Sequence, residues 1–380
     1  MTEIFFWGAT GLILIPYVFY PGFLCVLEWI AGKVVQQKDD YFPYVSVVVA
    51  AFNEEATIKR RVENILVQNY PPDKLEIIVV SDCSDDDTDS IVKSFSAPTV
   101  TLLRNPVRQG KSMAQNLGAI HARGDLLMFT DSDTLFEPDY LRTLMSNFGD
   151  PSVGAAHGRI YFAADNSSTV TKHMNVYMAF ELWLRGRESR LGILLSSTGA
   201  NTAVRRKHFR PLEDVASEDV AIPLDCAEQN AKTIYDPEAV CHDVYYSQSS
   251  RELSSRIRST VRTYSSLWAR RRAWLPCRHP IRAGVVICHR YLRYACPFMM
   301  MIVLAANACL YHQAFYQGTF TIQILFYTVA GIGPPLRRLG VEVAWLSAPF
   351  NFCVANAAFM IATLKALRGA KVSAFRDRSP

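Results

Sequence analysis

The sequence predicts an α/β domain with a mostly parallel sheet, held between apolar helices at both ends of the chain. Three observations lead there. Strand-like and helix-like stretches alternate four times between Val45 and Thr130, the pattern of a layered α/β sheet. Acids and amides collect directly after three of those strands, as Asn53 and Glu54, Asp82, and Asp131 and Asp133. Long stretches almost free of charge flank the region: Ile4–Ile30, with Glu28 alone, and Tyr294–Leu336 and Val343–Leu364, with no Asp, Glu, Lys or Arg.

The elements follow in order. A bilayer span needs about 20 mainly apolar residues, so Ile4–Ile30 suffices for one transmembrane helix, kinked by Pro16, Pro21 and Gly22. It lacks a basic leader and a small-residue cleavage site, so it reads as an anchor. Lys33–Tyr44 is a polar linker. Val45–Ala51 is a β-branched run that reads as a buried parallel strand, ending in Phe52-Asn53-Glu54-Glu55. Ala56–Gln68 is helical, with Ile58, Val62, Ile65 and Leu66 on one stripe. Tyr70–Asp73 is a turn, and Leu75–Val80 is a second strand closing on Ser81-Asp82. Ser84–Thr88 opens a helix with capping residues and acids in its first turn. Val100–Leu103 is a third strand, followed by Arg108-Gln109-Gly110-Lys111 and a helix over Ser112–Ala122. Gly124 then leads into the Leu126–Phe129 strand and Thr130-Asp131-Ser132-Asp133.

In an open α/β sheet the carboxyl ends of the strands border the ligand crevice. Asp131 and Asp133, two apart in an extended segment, point the same way. Their oxygens can converge on one hard divalent cation, with a diphosphate completing its shell. Each acid alone reads equally well as a solvated strand end; three strands ending so is the stronger signal. No Gly-x-Gly-x-x-Gly follows the first strand, and Gly110-Lys111-Ser112 lacks the earlier glycine of a P-loop. A dinucleotide dehydrogenase and an ordinary NTPase are therefore disfavoured.

The second half carries further candidates. Asp150–Gly158 reads as a turn and a strand. Thr171–Leu191 is helical, with Glu181, Arg185 and Glu188 expected on its solvated face. Ser197-Thr198-Gly199-Ala200-Asn201 is small and polar, either an ordinary turn or a place where a ligand meets the backbone closely. Ser217-Glu218-Asp219 precedes Val220, Ile222 and Leu224 and reads locally as a helix start. The net charge of +5 hides an asymmetry: Arg251–Arg293 holds eleven arginines against one acid, Glu252, a local +10 that leaves −5 elsewhere. Such a segment suits anionic headgroups or a phosphorylated ligand. Nucleic acid is discounted, because apolar segments flank the charge and no nucleic-acid motif appears. Trp268, Trp274 and Tyr291 among the arginines suggest helices lying at a membrane interface. The nine cysteines form no Cys-x-x-Cys pair and read as reduced thiols facing a cytosol.

Val45–Glu55, Val79–Asp82, Arg108–Lys111 and Thr130–Asp133 together resemble family 2 glycosyltransferases of the GT-A fold, a nucleotide-sugar-binding, Rossmann-like architecture. The likeness is greatest to the membrane-embedded bacterial enzymes related to cellulose, hyaluronan and poly-N-acetylglucosamine synthases. It implies that Glu54 and Asp82 hold the nucleotide, that Lys111 faces its diphosphate, and that Asp131 and Asp133 lie at the metal, Mg²⁺ or Mn²⁺. It implies an acceptor loop at Gly199 and Ala200 with Glu218 beside it. Ser217-Glu218-Asp219 resembles the Thr-Glu-Asp signature, which makes Asp219 the general base that inverting transfer needs. His242 is a candidate further metal ligand. The synthases' Gln-x-x-Arg-Trp aligns with Ser255-Arg256-Ile257-Arg258-Ser259, so only Arg258 is kept; Arg262, one turn on, is expected to share a diphosphate role.

The expected layout is a transmembrane helix at 1–32, a GT-A domain at 44–250, basic interface helices at 251–292, a transmembrane region at 293–367 and a basic tail at 368–380. The expected function is inverting transfer of a sugar from a nucleotide-diphosphate donor, in the first place a UDP-sugar, to a polysaccharide or glycolipid acceptor at the inner face of the cell membrane. The alternatives are single-sugar transfer to a polyprenyl phosphate or other lipid, and an inactive scaffold subunit of an export complex. Two spans within Tyr294–Leu336 and one at Val343–Leu364 would leave the C-terminus outside. Lys365, Arg368, Lys371, Arg376 and Arg378 favour a cytosolic tail, so one apolar segment is expected not to cross fully.

Overall fold

A computed structural model describes residues 1–31, 41–163, 169–244, 249–338, 344–370 and 372. Most of the polar linker, and Lys371, Arg376 and Arg378 of the basic tail, lie outside the described residues. Eight strands form one sheet: β1 (Val45–Ala51), β2 (Leu75–Ser81), β3 (Val100–Arg104), β4 (Leu126–Thr130), β5 (Leu135–Phe136), β6 (Val153–Ala163), β7 (Asn201–Arg205) and β8 (Lys232–Val244). Their order is β3-β2-β1-β4-β7-β6-β8-β5. The first four are mutually parallel, as are β6 and β8; β7 and β5 run against their neighbours. The sheet is thus mixed, and its parallel half is the half predicted from the strand–helix alternation.

Strand β1 sits where the winding reverses, with β2 on one side and β4 on the other. This is the point at which an open α/β sheet forms its crevice. Alternate residues of a strand face opposite sides. Val45, Val47 and Val49 accordingly pack with Ile58, Val62 and Ile65 of α3 (Ile58–Leu66). Val48 faces the other way, onto Ala114 and Ala119 of α5 (Lys111–His121), the helix after α4 (Thr88–Lys93). Each fully buried aliphatic side chain contributes about 1.5–3 kcal/mol, and both faces of β1 are covered. On α3 the predicted stripe is altered. Leu66 is exposed and Arg61 is fully buried, because Arg61, not Leu66, stands in the i, i+3, i+4, i+7 series from Ile58.

Helix α6 (Tyr140–Ser146) backs the second half of the sheet, and α7 (Thr169–Arg190) and α8 (Glu218–Glu228) complete the domain. The face of α7 expected to be solvated is not: Glu181, Arg185 and Glu188 are all buried. The reason is tertiary, since α7 packs against α2 (Tyr20–Ala31) and reaches the segment around His289. Before α2 runs α1 (Thr2–Leu14), and the two are joined by a wide π turn, Ile15–Phe19. Pro16 lies in that turn, where its missing N–H breaks the regular ladder.

The basic segment forms α9 (Ser249–Ala269) and α10 (Pro280–Val286) and continues through a second π turn, Ile287–Tyr291, into α11 (Leu292–Cys309). Its expected place at a membrane interface is met only in part. Trp268 is exposed. However, Leu267, Ala273, Val285 and Val286 pack on Val220, Leu224 and Ala227 of α8, and Arg262 and Arg270 are buried. The apolar helix also starts earlier than position 293, at Pro280. Helices α12 (Ala314–Arg338) and α13 (Ala344–Leu367) end the described chain. Among the described residues, three stretches are long and apolar enough to cross a membrane: Thr2–Ala31, Pro280–Cys309 and Ala348–Leu367. Helix α12, one of the expected spans, is not among them; Gln317, Thr319, Thr321, Gln323 and Thr328 make it more polar. All nine cysteines are free thiols.

Candidate active site

The carboxyl ends of β1, β2 and β4 enclose a cleft of about 110 Å³, lined by Phe52, Glu54, Asp82, Lys111, Asp131, Ser132 and Asp133 among others. Two polar strand ends brace each other beside it. Asn53, at a φ of 55° that asparagine tolerates, accepts from the Asp85 amide at 3.0 Å, and its own N–H donates to Ser84 Oγ at 3.1 Å. The Glu54 amide donates to Thr88 Oγ1 at 2.8 Å, and Thr57 donates to the Glu54 carboxylate at 2.8 Å. Buried Asp82 accepts from Asn105 Nδ2 at 2.7 Å, from the Gln109 amide at 2.9 Å and from the Gly110 amide at 2.7 Å. Asp82 therefore shapes the loop that delivers Lys111. Gly110 has a φ of 94°, a conformation open to glycine at little cost, and it caps α5 so that Lys111 enters the cleft.

Lys111 Nζ lies 2.5 Å from Asp131 Oδ1 and 2.7 Å from Glu218 Oε1. Burial alone would lower its pKa, but the Asp131 and Glu218 carboxylates override that and hold the ammonium charged. Glu218 is buried. Desolvation would raise its carboxyl, yet Lys111 and then Arg262 bring it down to about 2. Asp133 behaves oppositely: burial, with Asp131 and Glu54 nearby, pushes it up to about 6. The cleft thus holds an excess of negative charge near Asp133.

Arg61 is a component that the sequence reading did not identify. Its Nη2 donates to Thr130 Oγ1 and its Nη1 to Asn64 Oδ1, both at 2.8 Å, and its guanidinium stacks 3.9 Å from the Phe136 ring centroid. It supports the Asp131-Ser132-Asp133 turn from below. The signal was its position on the apolar stripe of α3.

Glu218 and Asp219 begin α8. The Ser217 hydroxyl bonds to Asp219 Oδ1, so Ser217 serves Asp219 and makes no side-chain cap to the helix. The Asp219 carbonyl accepts from the Ser197 amide at 2.7 Å, which joins the Ser197–Asn201 loop to this helix start. A Cβ added at Gly199 would stand 2.8 Å from Glu218 Oε1, so Gly199 lies directly against Glu218; Ala200 beside it is buried in the core. Arg262 enters from α9, with Nη2 bonded to the Ala216 carbonyl and 3.2 Å from Ser112 Oγ and 3.5 Å from Glu218 Oε2. Arg258 lies one turn earlier on α9, half-buried. His242, expected toward the metal, is turned elsewhere. It pairs with Leu135 across β5–β8, its Nε2 is 3.0 Å from Glu137 Oε1, and its ring stacks on Tyr161. Among the described residues no three His, Cys, Asp or Glu side chains gather to hold a metal. A larger cavity, about 880 Å³, lies between α7 and the β6–β8 edge, lined by Arg159, Trp183, Tyr235 and Asp236 among others; the strand-end acids do not border it.

Residues 46–212 match the profile of Glycosyl transferase family 2. Over that stretch, fewer than half of its residues, the chain is similar to family 2 glycosyl transferases. The match takes in β1 to β7, with the acids at the ends of β1, β2 and β4, and it stops before Ser217. The likeness to two curated relatives extends further along the chain. The beta-monoglucosyldiacylglycerol synthase of Trichormus variabilis is 25% identical over 236 residues, 61% of this chain and 48% of its own. The poly-beta-1,6-N-acetyl-D-glucosamine synthase of Staphylococcus epidermidis is 24% identical over 246 residues, 59% of each. This chain spans about half the length of the curated relatives it matches, 43% and 42% for two more similar ones. Among solved structures, a mannosyltransferase from Pyrobaculum calidifontis, in complex with GDP-Man and Mn²⁺, superposes with a TM-score of 0.72 over 97% of this chain and 99% of that one, at 23% identity. That likeness is one of fold, and it includes the apolar helices as well as the α/β domain.

Proposed function

We propose that this chain is an inverting, divalent-metal-dependent glycosyltransferase that moves a sugar from a nucleotide-diphosphate donor to a membrane-lipid or polysaccharide acceptor. The observation that carries the reading is the junction of two sites through one lysine. Lys111 bridges Asp131, at the end of β4, and Glu218, next to Asp219 at the start of α8. The strand-end acids would face the nucleotide and Asp219 the acceptor.

The donor set fits a divalent cation. Asp131 and Asp133 offer hard oxygen ligands, and the Asp133 carboxyl, raised by burial first and then by the Asp131 and Glu54 carboxylates, is one that a bound cation would keep ionised. Magnesium-type sites are typically held by one or two carboxylates with substrate phosphates supplying the rest, which agrees with the absence of a third protein ligand among the described residues. When bound, the ion would offset charge on the departing diphosphate. Asp219 would take the proton of the acceptor hydroxyl as it attacks C1 from the face opposite the leaving group. Arg262, buried against Glu218 and Ala216, would fix that wall of the cleft, and Arg258 would complete it toward the diphosphate.

Single transfer to a lipid is favoured over processive polymerisation by one feature. Ser255 and Ser259 stand, exposed, where the synthases' glutamine and tryptophan would be. The purified chain with a panel of UDP- and GDP-sugars and extracted lipids tests the proposal. Turnover should vanish in excess EDTA and return with Mn²⁺ or Mg²⁺. Asp219→Asn should lower the rate by about 10²–10⁴ while nucleotide binding is kept. Full turnover by the metal-stripped protein, or by Asp219→Asn, would overturn it.

A further inference from the structure

Helix α7 carries a buried ionic cluster whose parts come from distant segments. Glu181 Oε1 lies 3.0 Å from His289 Nε2 and 3.0 Å from Arg185 Nη2, and Glu181 Oε2 lies 2.7 Å from Arg293 Nη1. Glu188 Oε1 lies 2.7 Å from His289 Nδ1 and accepts from the Tyr20 hydroxyl at 2.6 Å. Tyr20 belongs to the first apolar stretch, and His289 and Arg293 to the second. All six side chains are buried.

Such a cluster is poorly explained by stability. A buried ion network replaced by well-packed apolar residues is often neutral or even more stable. What apolar residues could not reproduce is the other end of Arg185. Its Nη1 donates to the Ser197 carbonyl at 2.9 Å and to Thr198 Oγ1 at 3.2 Å. Ser197 in turn donates its amide to the Asp219 carbonyl at 2.7 Å, and the next glycine, Gly199, presses on Glu218. Two hydrogen bonds from one planar guanidinium thus fix the loop that sets both residues at the start of α8.

We propose that Arg185, oriented by Glu181, is a positioning residue for Asp219 and the acceptor loop, and that it ties their placement to the two apolar helical stretches bearing Tyr20 and His289. This rests on the reading of Asp219 as the acceptor-side base. The route is Tyr20–Glu188–His289–Glu181–Arg185–Ser197–Asp219, each step a contact within 3.2 Å. None of the side chains from Tyr20 to Arg185 need touch substrate.

Arg185→Lys is the discriminating change. It keeps a charge beside Glu181, but a single ammonium cannot hold Glu181 and also reach Ser197 and Thr198, which the guanidinium does with Nε and Nη2 on one side and Nη1 on the other. In the full-length protein in detergent it should lower kcat for transfer at least tenfold, leave the donor KM within about twofold and leave the melting temperature near wild type, since a 1.4 kcal/mol change in barrier is a factor of ten. Amide hydrogen exchange should rise in peptides covering 196–200 and 217–221 and stay unchanged over 126–133. That readout needs no substrate. A wild-type protein that turns over no donor in the panel would count against the proposed function, while the exchange data would still judge this inference. Thr198→Val, a near-isosteric change that removes one of the two contacts, should give a smaller change of the same kind and decides the matter where Arg185→Lys does not fold. Unchanged exchange and kcat in the folded variants, or a loss of donor affinity in step with kcat, would overturn the proposal.

Discussion

Glu218 sits between two cations, Lys111 and Arg262, and its carboxyl is held at about 2. A carboxyl depressed in the folded state stabilises above its unfolded pKa, about 4.3, and loses that contribution as the pH falls toward the folded value. The melting-temperature gap between wild type and Glu218→Gln, measured in detergent from pH 6 downward, should therefore be constant above about pH 5 and narrow as the pH drops below about 4. A gap that is the same at every pH would show that the Glu218 charge contributes nothing. The same carboxylate explains Gly199. In Gly199→Ala the new methyl would push Glu218 Oε1 away from Lys111, so transfer should fall while fold and nucleotide binding remain, as judged by kcat and nucleotide titration. At this scale the sequence pointed to Asp82, Asp131 and Asp133, because they follow buried β-branched or apolar runs, and the structure brings them to one cleft. The sequence did not show what Asp82 does: the residues it holds, Asn105, Gln109 and Gly110, are more than twenty positions away.

Helices were legible wherever their partner was the sheet, and misread wherever it was another helix. The period-3.6 pattern of α3 placed that helix, with Arg61 in place of Leu66 on its buried face, because one stripe meets one strand layer. On α7 the charged series Glu181, Arg185, Glu188 has the spacing of a solvated face, and nothing local records that Arg293 and His289 neutralise it from a hundred residues away. The basic helix α9 was misread for the same reason. Arg270, just past the end of α9 in the basic segment expected at a membrane interface, lies buried with its Nε 3.0 Å from Asp225 Oδ2 and its Nη1 2.9 Å from Glu213 Oε2. Burial still holds Asp225 above the usual carboxylate range despite Arg270, so the pair is a costly one to leave half-made. Arg270→Met should destabilise the protein by about 3 kcal/mol, and Arg270→Met combined with Asp225→Leu should recover most of it. Thermal or denaturant unfolding of the two variants checks both halves of that statement.

At the scale of the molecule, three apolar helical stretches among the described residues, where four spans were expected, change the parity of the chain. With the catalytic domain on the cytosolic side, Thr2–Ala31 would cross once and Pro280–Cys309 and Ala348–Leu367 would form an out-and-back pair, returning the basic tail to the cytosol as the positive-inside rule asks. A cysteine placed within 368–380 of a cysteine-free variant should stay unlabelled by an impermeant maleimide in intact cells and become labelled after permeabilisation; labelling in intact cells would reverse the assignment. The N-terminal helix has a further consequence, one of timing. Glu28 at its end is gripped by Arg187 and Arg190, about 160 residues later in the chain, and α1 packs against α11, later still. At roughly 5–20 residues per second on the ribosome, this helix waits on the order of 10–30 seconds for the arginines and longer for α11. It is therefore made well before its native neighbours. A newly made chain passes through a long stage with an unmatched glutamate and a bare apolar flank, the kind of surface that membrane chaperones and quality-control proteases recognise.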